Sequence, residues 1–233
     1  MTERIREIVL DTETTGFNWG GGDKILEIGA LEVVNRIPTG RFYHQYVNPG
    51  EVEISASAIK VHGITNEKVA SEPLFHEIVA DMLEFFGDAP LVAHNANFDI
   101  SFLNAELEAA GFASLKNKVV DTLTIARSKY PGQRATLDAL CQRFDIDLSE
   151  REYHGALLDA RLLADVYLEL MGGLQGSLLD DGQEEADRNT SSLSKIPVKT
   201  TVREPRPFPV DKSELERHFN FVKAIEGNLW GYE

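Results

Sequence analysis

The chain has 233 residues, 42% of them hydrophobic, which is enough to bury the core of one domain with an appendage. It has no run of about 18 apolar residues and no apolar leader, so we expect neither a membrane span nor a signal peptide. The formal net charge of −15 argues against a nucleic-acid binder that relies on a broad basic surface.

Most of the negative charge belongs to the longer part of the chain, since residues 1–173 carry 15 Lys and Arg against 27 Asp and Glu. Two interpretations stay open: an acidic protein without nucleic-acid partners, or carboxylates that hold divalent cations to meet phosphate. The single cysteine, Cys141, cannot form an intramolecular disulfide, so a reducing cytoplasm is the expected compartment. Its place in a helical pattern favours a buried packing role.

The first part of the chain predicts three strands. Residues 7–13 join an apolar run to an acidic end, which is typical of a central strand. Residues 25–34 and 41–47 are predicted as the second and third strands, with Pro38-Thr39-Gly40 as the hairpin link between them. We therefore expect an antiparallel meander.

From residue 57 onward the pattern alternates between helix and strand. Helices are predicted over residues 57–61, 75–86, 98–110, 136–144 and 156–171, and short strands over 91–94 and 119–121. Three strands followed by this alternation predict an α/β fold with a mixed five-stranded sheet flanked by helices.

Gly172-Gly173 end the alternating pattern and predict the end of a first domain, residues 1–173. Residues 174–206 are rich in Ser, Thr, Asp, Glu and Pro, which predicts a flexible linker. The last segment, residues 207–233, contains a predicted helix over 211–225. Leu215, Phe219 and Val222 lie at helical spacing in this helix, and with Leu229 and Trp230 beyond it they form an apolar set.

Two acidic residues end the first predicted strand. Asp11 and Glu13 lie two positions apart, so their side chains project from the same face of the strand. Neighbouring carboxylates repel each other unless a proton or a cation lies between them, and Mg²⁺ prefers oxygen ligands. A solvated strand end explains an isolated pair of this kind equally well.

Asp99 and Asp159 are predicted in the first turns of two helices that begin after a strand or a loop. The helix dipole favours an acid there without any function, so each alone is a weak signal. His154 precedes Asp159 by five residues and can converge with it only from the loop before the helix, which Gly155 permits. A loop histidine beside bound water is a suitable general base, because the ordinary histidine pKa is about 6.5.

In order and spacing these residues resemble the DEDDh exonuclease superfamily. The resemblance rests on Asp11 and Glu13, on the segment Asn95 to Asp99, and on His154 with Asp159. It implies a ribonuclease H-like fold, two Mg²⁺ or Mn²⁺ ions held by Asp11, Glu13, Asp99 and Asp159, and His154 as the catalytic base. It also implies 3′→5′ hydrolysis that releases nucleoside 5′-monophosphates.

A narrower resemblance, over about residues 7–173, is to the family of proofreading (epsilon) subunits of bacterial DNA polymerase III. It rests on the following segments: residues 8–16, 27–30, 32–36, 61–64, 137–141 and 154–160. It implies that His62 contacts the terminal nucleotide, together with Asp11, Glu13 and Asp159. Ser57 stands where some members have a glutamate, which puts one nucleotide contact in doubt.

The same resemblance implies partners for the C-terminal part of the chain. Gln175, Leu178 and Leu179 resemble the short motif that binds the bacterial sliding clamp, although a linker with incidental leucines explains them too. Residues 207–233 are expected to dock on the polymerase catalytic subunit, and a small third core subunit is a possible further partner. A tail folded back on the exonuclease domain is the alternative.

Two other functions stay open at this point. One is a stand-alone DEDDh exonuclease acting on RNA or single-stranded DNA, which the active-site residues alone do not separate from a proofreader. The other is a non-catalytic interaction subunit that kept the fold, although the presence of all five catalytic-type residues argues against it.

Overall fold

The computed structural model describes residues 4–149, 153–173 and 211–223 of the chain, which divides into two compact units, residues 1–182 and 183–233. One mixed five-stranded sheet lies at the centre of the first unit, in the order β3-β2-β1-β4-β5. Its strands are β1 (Arg6–Thr14), β2 (Ile25–Val34), β3 (Ile37–Tyr46), β4 (Leu91–Ala93) and β5 (Val119–Asp121). The predicted mixed sheet is confirmed.

The helices surround this sheet, and a short 3-10 turn at Trp19–Gly21 follows β1. In the described part of the first unit they are α1 (Ala56–His62), α2 (Asn66–Val69), α3 (Phe75–Phe86), α4 (Ala96–Ala109), α5 (Thr122–Lys129), α6 (Leu137–Arg143) and α7 (Ala156–Leu170). In the second unit, α8 (Lys212–Lys223) is the described helix. No helix among the described residues is both long and apolar enough to cross a membrane.

Alternation along β1 divides the core into two layers. Ile8 and Leu10 pack with α3 and α4 on one face of the sheet. Val9, between them, packs with α7 on the other face. Because the alternation continues, Asp11 and Glu13 share the face of Val9, and Thr12 shares the face of Leu10.

The predicted link between β2 and β3 was wrong. Val34 pairs with Ile37, so the hairpin turn is Asn35-Arg36, whose φ angles are 51° and 67°. Two left-handed residues form the two-residue turn whose twist matches that of the strands. Pro38-Thr39-Gly40 lies inside β3, where Pro38 is tolerated because β3 is an edge strand.

Two helices were missed and one begins earlier than predicted. Neither α2 nor α5 was expected, because both are short and α5 begins directly after β5. The α4 helix starts at Ala96 rather than Phe98, after Asn95 in a left-handed conformation with φ 67°. The prediction of a buried Cys141 is confirmed, since its exposed fraction is 0%.

Several predictions fall outside the described residues and stay predictions. They concern the linker over residues 174–206, the clamp-type residues Gln175, Leu178 and Leu179, and the apolar residues Leu229 and Trp230. The predicted domain boundaries likewise stay predictions. The predicted terminal helix corresponds to α8, on which Leu215, Phe219 and Phe221 are 53%, 38% and 68% exposed.

Candidate active site

The carboxylates at the end of β1 lie on the sheet face that α7 covers. Asp11 pairs with Gly29 of β2, and Glu13 pairs with Glu27. Glu13 and Glu27 are 9% and 3% exposed, so two acidic residues meet across neighbouring strands in a buried place. Glu27 is stabilised by His44, whose Nε2 lies 2.6 Å from Glu27 Oε1.

The start of α7 brings His154 and Asp159 together as the sequence predicts. Gly155 is the residue before the first turn and has an extended conformation, with φ −146° and ψ 127°. His154 therefore lies outside the helix, while Asp159 closes the first turn through its N–H to the Gly155 carbonyl at 2.8 Å. The His154 Nδ1 atom lies 3.2 Å from Asp159 Oδ2.

Gly29 allows α7 to approach the sheet closely enough to reach Asp11. A Cβ atom at Gly29 would lie 2.2 Å from both the Ala156 carbonyl carbon and the Leu157 nitrogen. Real Cβ atoms do not approach backbone atoms to that distance, so only glycine fits at this crossing. Gly29, which pairs with Asp11 on the neighbouring strand, therefore sets the distance between α7 and the sheet.

Glu13, His154 and Asp159 form a group with the geometry of a metal site. One ligand atom from each lies within 4.8 Å of the others, and among the described residues Asp11 and Asp99 are outside this group. Asp11 lines a cleft of about 650 Å³ together with His154 and Asp159. The carboxylate oxygens of this group suit a hard divalent ion such as Mg²⁺ or Mn²⁺, and the imidazole beside them is placed to act on water rather than on the ion.

Asp99 lies beside β1 on the α4 side of the sheet. Its Oδ1 accepts a 2.8 Å hydrogen bond from the Thr12 hydroxyl, and the residue is 3% exposed. Burial raises the pKa of Asp99 to about 7, although hydrogen bonds from Thr12 act in the opposite direction. A buried carboxylate with a raised pKa gains from a nearby cation, which is consistent with its predicted role.

His62 is more buried than a simple nucleotide contact requires. It is 6% exposed, its Nδ1 accepts the Ile64 N–H at 3.0 Å, and its Nε2 lies 3.3 Å from the Thr14 carbonyl oxygen. Burial lowers the pKa of His62. Because Nδ1 accepts the Ile64 N–H, Nε2 is the nitrogen that can donate to Thr14. His62 therefore ties the end of β1 to α1, beside a second cleft that His154 also lines.

The loop before α7 is fixed against the end of α1. The His154 N–H donates to the Val61 carbonyl at 3.1 Å. Gly63 has φ +68°, and a Cβ atom there would lie 3.3 Å from the Tyr153 ring. Ser57 is exposed on α1, where its hydroxyl lies 3.2 Å from that of Ser55.

Sequence reasoning missed Asp121, the residue that orders the strand ends around the site. Its Oδ1 accepts the N–H of Asn95 at 2.9 Å and that of Leu123 at 3.0 Å, so one carboxylate binds the first turns of both α4 and α5. Burial alone would raise the pKa of Asp121, but hydrogen bonds from Thr124 and from backbone amides outweigh it, so the pKa is lowered. Its position at the end of a predicted strand was the available signal.

Comparison with known proteins identifies the class to which this fold and site belong. Residues 8–167 match the family described as exonuclease. The nuclease domain of 3′hExo, a DEDDh family member bound to rAMP, has the same fold, with a TM-score of 0.63 and 18% identity over 73% of this chain and 93% of that chain. Exonuclease X in complex with 5′ overhanging duplex DNA superposes with a TM-score of 0.56 and 26% identity, over 72% and 90% of the two chains. The protein is an exonuclease with a ribonuclease H-like fold.

Relatives in sequence narrow the class. The DNA polymerase III subunit epsilon of Rickettsia felis is 45% identical over 227 residues, which cover 95% of this chain and 97% of that protein. The protein of the same name from Pasteurella multocida is 41% identical over 244 residues, with coverages of 97% and 93%. This chain therefore belongs to the family of DNA polymerase III epsilon subunits, and it is an enzyme, a 3′→5′ exonuclease.

Proposed function

We propose that this chain removes mismatched nucleotides from DNA 3′ ends as the proofreading subunit of a DNA polymerase III. The observation that carries this proposal is the convergence of Glu13, His154 and Asp159 within 4.8 Å, beside Asp11 in one cleft. The name of its relatives supports the polymerase association, and the DNA in the exonuclease X complex supports the substrate.

We infer that Asp11, Glu13, Asp99 and Asp159 hold two divalent ions, Mg²⁺ or Mn²⁺. When bound, such ions activate a water molecule and stabilise the charge that develops on the leaving oxygen. Both sheet faces at the end of β1 supply ligands, because Asp11 and Glu13 project toward α7 while Thr12 holds Asp99 on the α4 side. Divalent ions also explain how an acidic domain binds a polyanion, since they reverse the sign of the local field.

His154 is proposed as the general base. It lies on a loop fixed through its backbone to Val61, and its side chain is about half exposed, so water can reach the ring. Asp159 at the His154 Nδ1 atom orients the ring and favours the imidazolium that proton uptake creates. His154 takes a proton from the water, the water oxygen attacks phosphorus, and the bond to the 3′-oxygen breaks. The nucleoside 5′-monophosphate leaves, and the 3′-oxygen of the shortened strand takes up a proton.

The remaining predicted contacts have different support. His62 is proposed to contact the terminal nucleotide through its ring carbons, because both of its nitrogens already face the backbone. Ser57 is proposed as a weaker contact from the exposed side of α1. The exposed apolar side chains of α8 support docking of residues 207–233 on the polymerase catalytic subunit.

Further partners are proposed from the sequence and its family resemblance alone. Gln175, Leu178 and Leu179 are proposed to bind the sliding clamp, and a small third core subunit is a further proposed partner. Because bacterial chromosome replication takes place in the cytoplasm, we propose that location for this chain.

Asp11→Ala is the direct test. We expect it to lower exonuclease activity by more than about a thousandfold without unfolding the protein, because it removes a proposed metal ligand worth several kcal/mol of transition-state stabilisation. The measurement is Mg²⁺-dependent release of nucleotide from a mismatched DNA primer, with the melting temperature as the control for folding. Full activity of the purified variant would refute the assignment. Faster hydrolysis of an RNA strand of equal sequence would favour the stand-alone nuclease.

A further inference from the structure

The cleft that Asp11, His154 and Asp159 line has a cationic side. Arg127, in the last turn of α5, and Arg134, in the loop between α5 and α6, line the same cleft of about 650 Å³. We call these two residues the arginine edge. Neither was singled out by the sequence motifs, and the proposed metal site does not use them.

The loop that carries Arg134 is held on both sides of it. On one side, the Gln133 side chain accepts a hydrogen bond from Arg143 of α6. On the other side, His94 forms a hydrogen bond to the backbone of Ala135. Arg134 therefore projects from a backbone position that its two neighbours fix.

His94 connects this loop to the end of β4. Its Nδ1 lies 2.9 Å from the Thr122 hydroxyl, which also lies 3.2 Å from the Ala93 carbonyl oxygen. Burial, and to a smaller extent Arg127, lowers the pKa of His94. The arginine edge is thus attached to the same strand ends that carry the proposed catalytic carboxylates.

The charges of the arginine edge are available to a ligand. Both side chains are exposed, and neither forms an ion pair with any other residue that the structure describes. Residues 1–173 hold 27 acidic against 15 basic side chains, yet in the lining of this cleft two arginines balance the two carboxylates Asp11 and Asp159. Arginine presents a planar set of donors that matches phosphate in two-point hydrogen bonds.

We propose that Arg127 and Arg134 bind the phosphodiester backbone of the DNA strand on the 5′ side of the bond that is cut. This inference rests on the proposed function. An enzyme that works from the 3′ end cuts at the last phosphate, so every other phosphate of the substrate lies on the 5′ side. The carboxylates repel those phosphates, and the arginine edge offsets the repulsion and holds the strand in the cleft.

The test compares two substrates that differ in the phosphates they carry. One is a single-stranded DNA oligonucleotide, and the other is the p-nitrophenyl ester of thymidine 5′-monophosphate, which has only the phosphate that is cut. Arg127→Gln, Arg134→Gln and the double variant are assayed on both substrates with Mg²⁺ or Mn²⁺. Lys116→Gln is the matched control, because it removes one positive charge from an exposed position outside the cleft.

We expect each arginine substitution to raise KM for the oligonucleotide by about tenfold, with a much smaller change for the ester. The dependence of log KM on log salt should become shallower by about 0.7 for each arginine removed. Equal changes on the two substrates, or a KM for the oligonucleotide no different from that of Lys116→Gln, would overturn the inference. If the unaltered protein hydrolyses neither substrate, the proposed function fails, and the inference fails with it.

Discussion

At the scale of single residues, the site is a set of buried acids whose negative charge the fold by itself does not fully compensate. Glu13, Asp99 and Asp159 are 9%, 3% and 3% exposed, and Glu27 faces Glu13 from the next strand. Burying carboxylates without cations is costly. The hydrogen bond from Thr12 to Asp99 and the contact of His154 with Asp159 offset part of this cost. The site is therefore organised to receive positive charge.

The buried Asp99 predicts a pH-dependent stability of the metal-free protein. Its pKa is raised to about 7, while the unfolded carboxyl has its ordinary value of 3.8, so the folded state holds the extra proton between these values. The contribution of Asp99 to the free energy of unfolding therefore falls as pH rises from about 4 to about 7. Above that range the folded protein bears the full cost of burying an ionised carboxylate. Asp99→Asn keeps an oxygen for Thr12 and removes the charge.

In the presence of a chelator at pH 8, we expect Asp99→Asn to raise the free energy of unfolding by on the order of 1 to 2 kcal/mol, and to lose exonuclease activity. At pH 4 the difference should vanish. Urea unfolding at the two pH values measures this, with the exposed Asp88→Asn as the control. A less stable Asp99→Asn at pH 8 would contradict the prediction.

Substitution of His154 should reduce the exonuclease activity without abolishing it. His154→Ala should lower kcat by about 10²- to 10⁴-fold rather than abolish activity, because the proposed metal site remains to orient water. The shape of the pH–rate profile should change at the same time. The control is His76→Ala, an exposed histidine of α3. A profile of His154→Ala that has the same shape as that of the unaltered enzyme would rule out the base role.

At the scale of elements, the site depends on how closely one helix approaches the sheet. The first turn of α7 carries Asp159, and the loop before it carries His154. The positions of both side chains therefore depend on the distance between α7 and β2. Gly29 sets that distance, and the contacts of Val61 and Gly63 fix the incoming loop. On the other side, Asp121 joins the first turns of α4 and α5 to the strand ends.

Gly29→Ala tests the crossing of β2 and α7. The added Cβ would lie 2.2 Å from α7 backbone atoms, so the helix must move away from Asp11. We expect a loss of stability of about 1 to 3 kcal/mol and a fall in kcat of at least about tenfold at temperatures where the variant is folded. Gly20→Ala, which meets only Asn18 Oδ1 at 3.9 Å, is the control for a glycine replacement without a clash. Normal kcat in folded Gly29→Ala would show that α7 can move without affecting the site.

At the scale of the whole molecule, the chain joins an acidic catalytic unit to a tail with exposed apolar residues. The acidity suits metal-dependent hydrolysis, and the arginine edge supplies a local exception to it. The α8 helix exposes Leu215 and Phe221 by more than half, a pattern typical of a segment that docks on a partner.

Deletion of residues 180–233 separates these two roles. The truncated chain should keep at least about half of the exonuclease activity, because the described site lies between β1 and α7. It should lose co-elution with the polymerase catalytic subunit in size-exclusion chromatography. Loss of both properties together would support a tail that folds back on the exonuclease domain.

Local patterns in the sequence determined much of this protein. An apolar run with an acidic end predicted β1, and helical spacing predicted α4. The order of Asp11, Glu13, Asp99, His154 and Asp159 predicted the family and proposed the site residues. These signals are readable because each depends on neighbours within a few positions. The Asn35-Arg36 turn was not predicted because neither residue is a glycine, the usual sign of a left-handed conformation. Pro38 also suggested that the turn lies a few residues later.

Only the tertiary structure decided which distant residues support the chemistry. Gly29 matters because a helix 127 positions later crosses over it, and Asp121 because two helices start at the same edge of the sheet. Arg134 lies in the cleft that Asp11 and Asp159 line because His94 and Arg143 hold its neighbours there. Such roles follow from through-space packing between segments that are far apart in the chain, and no local pattern of residue types records them.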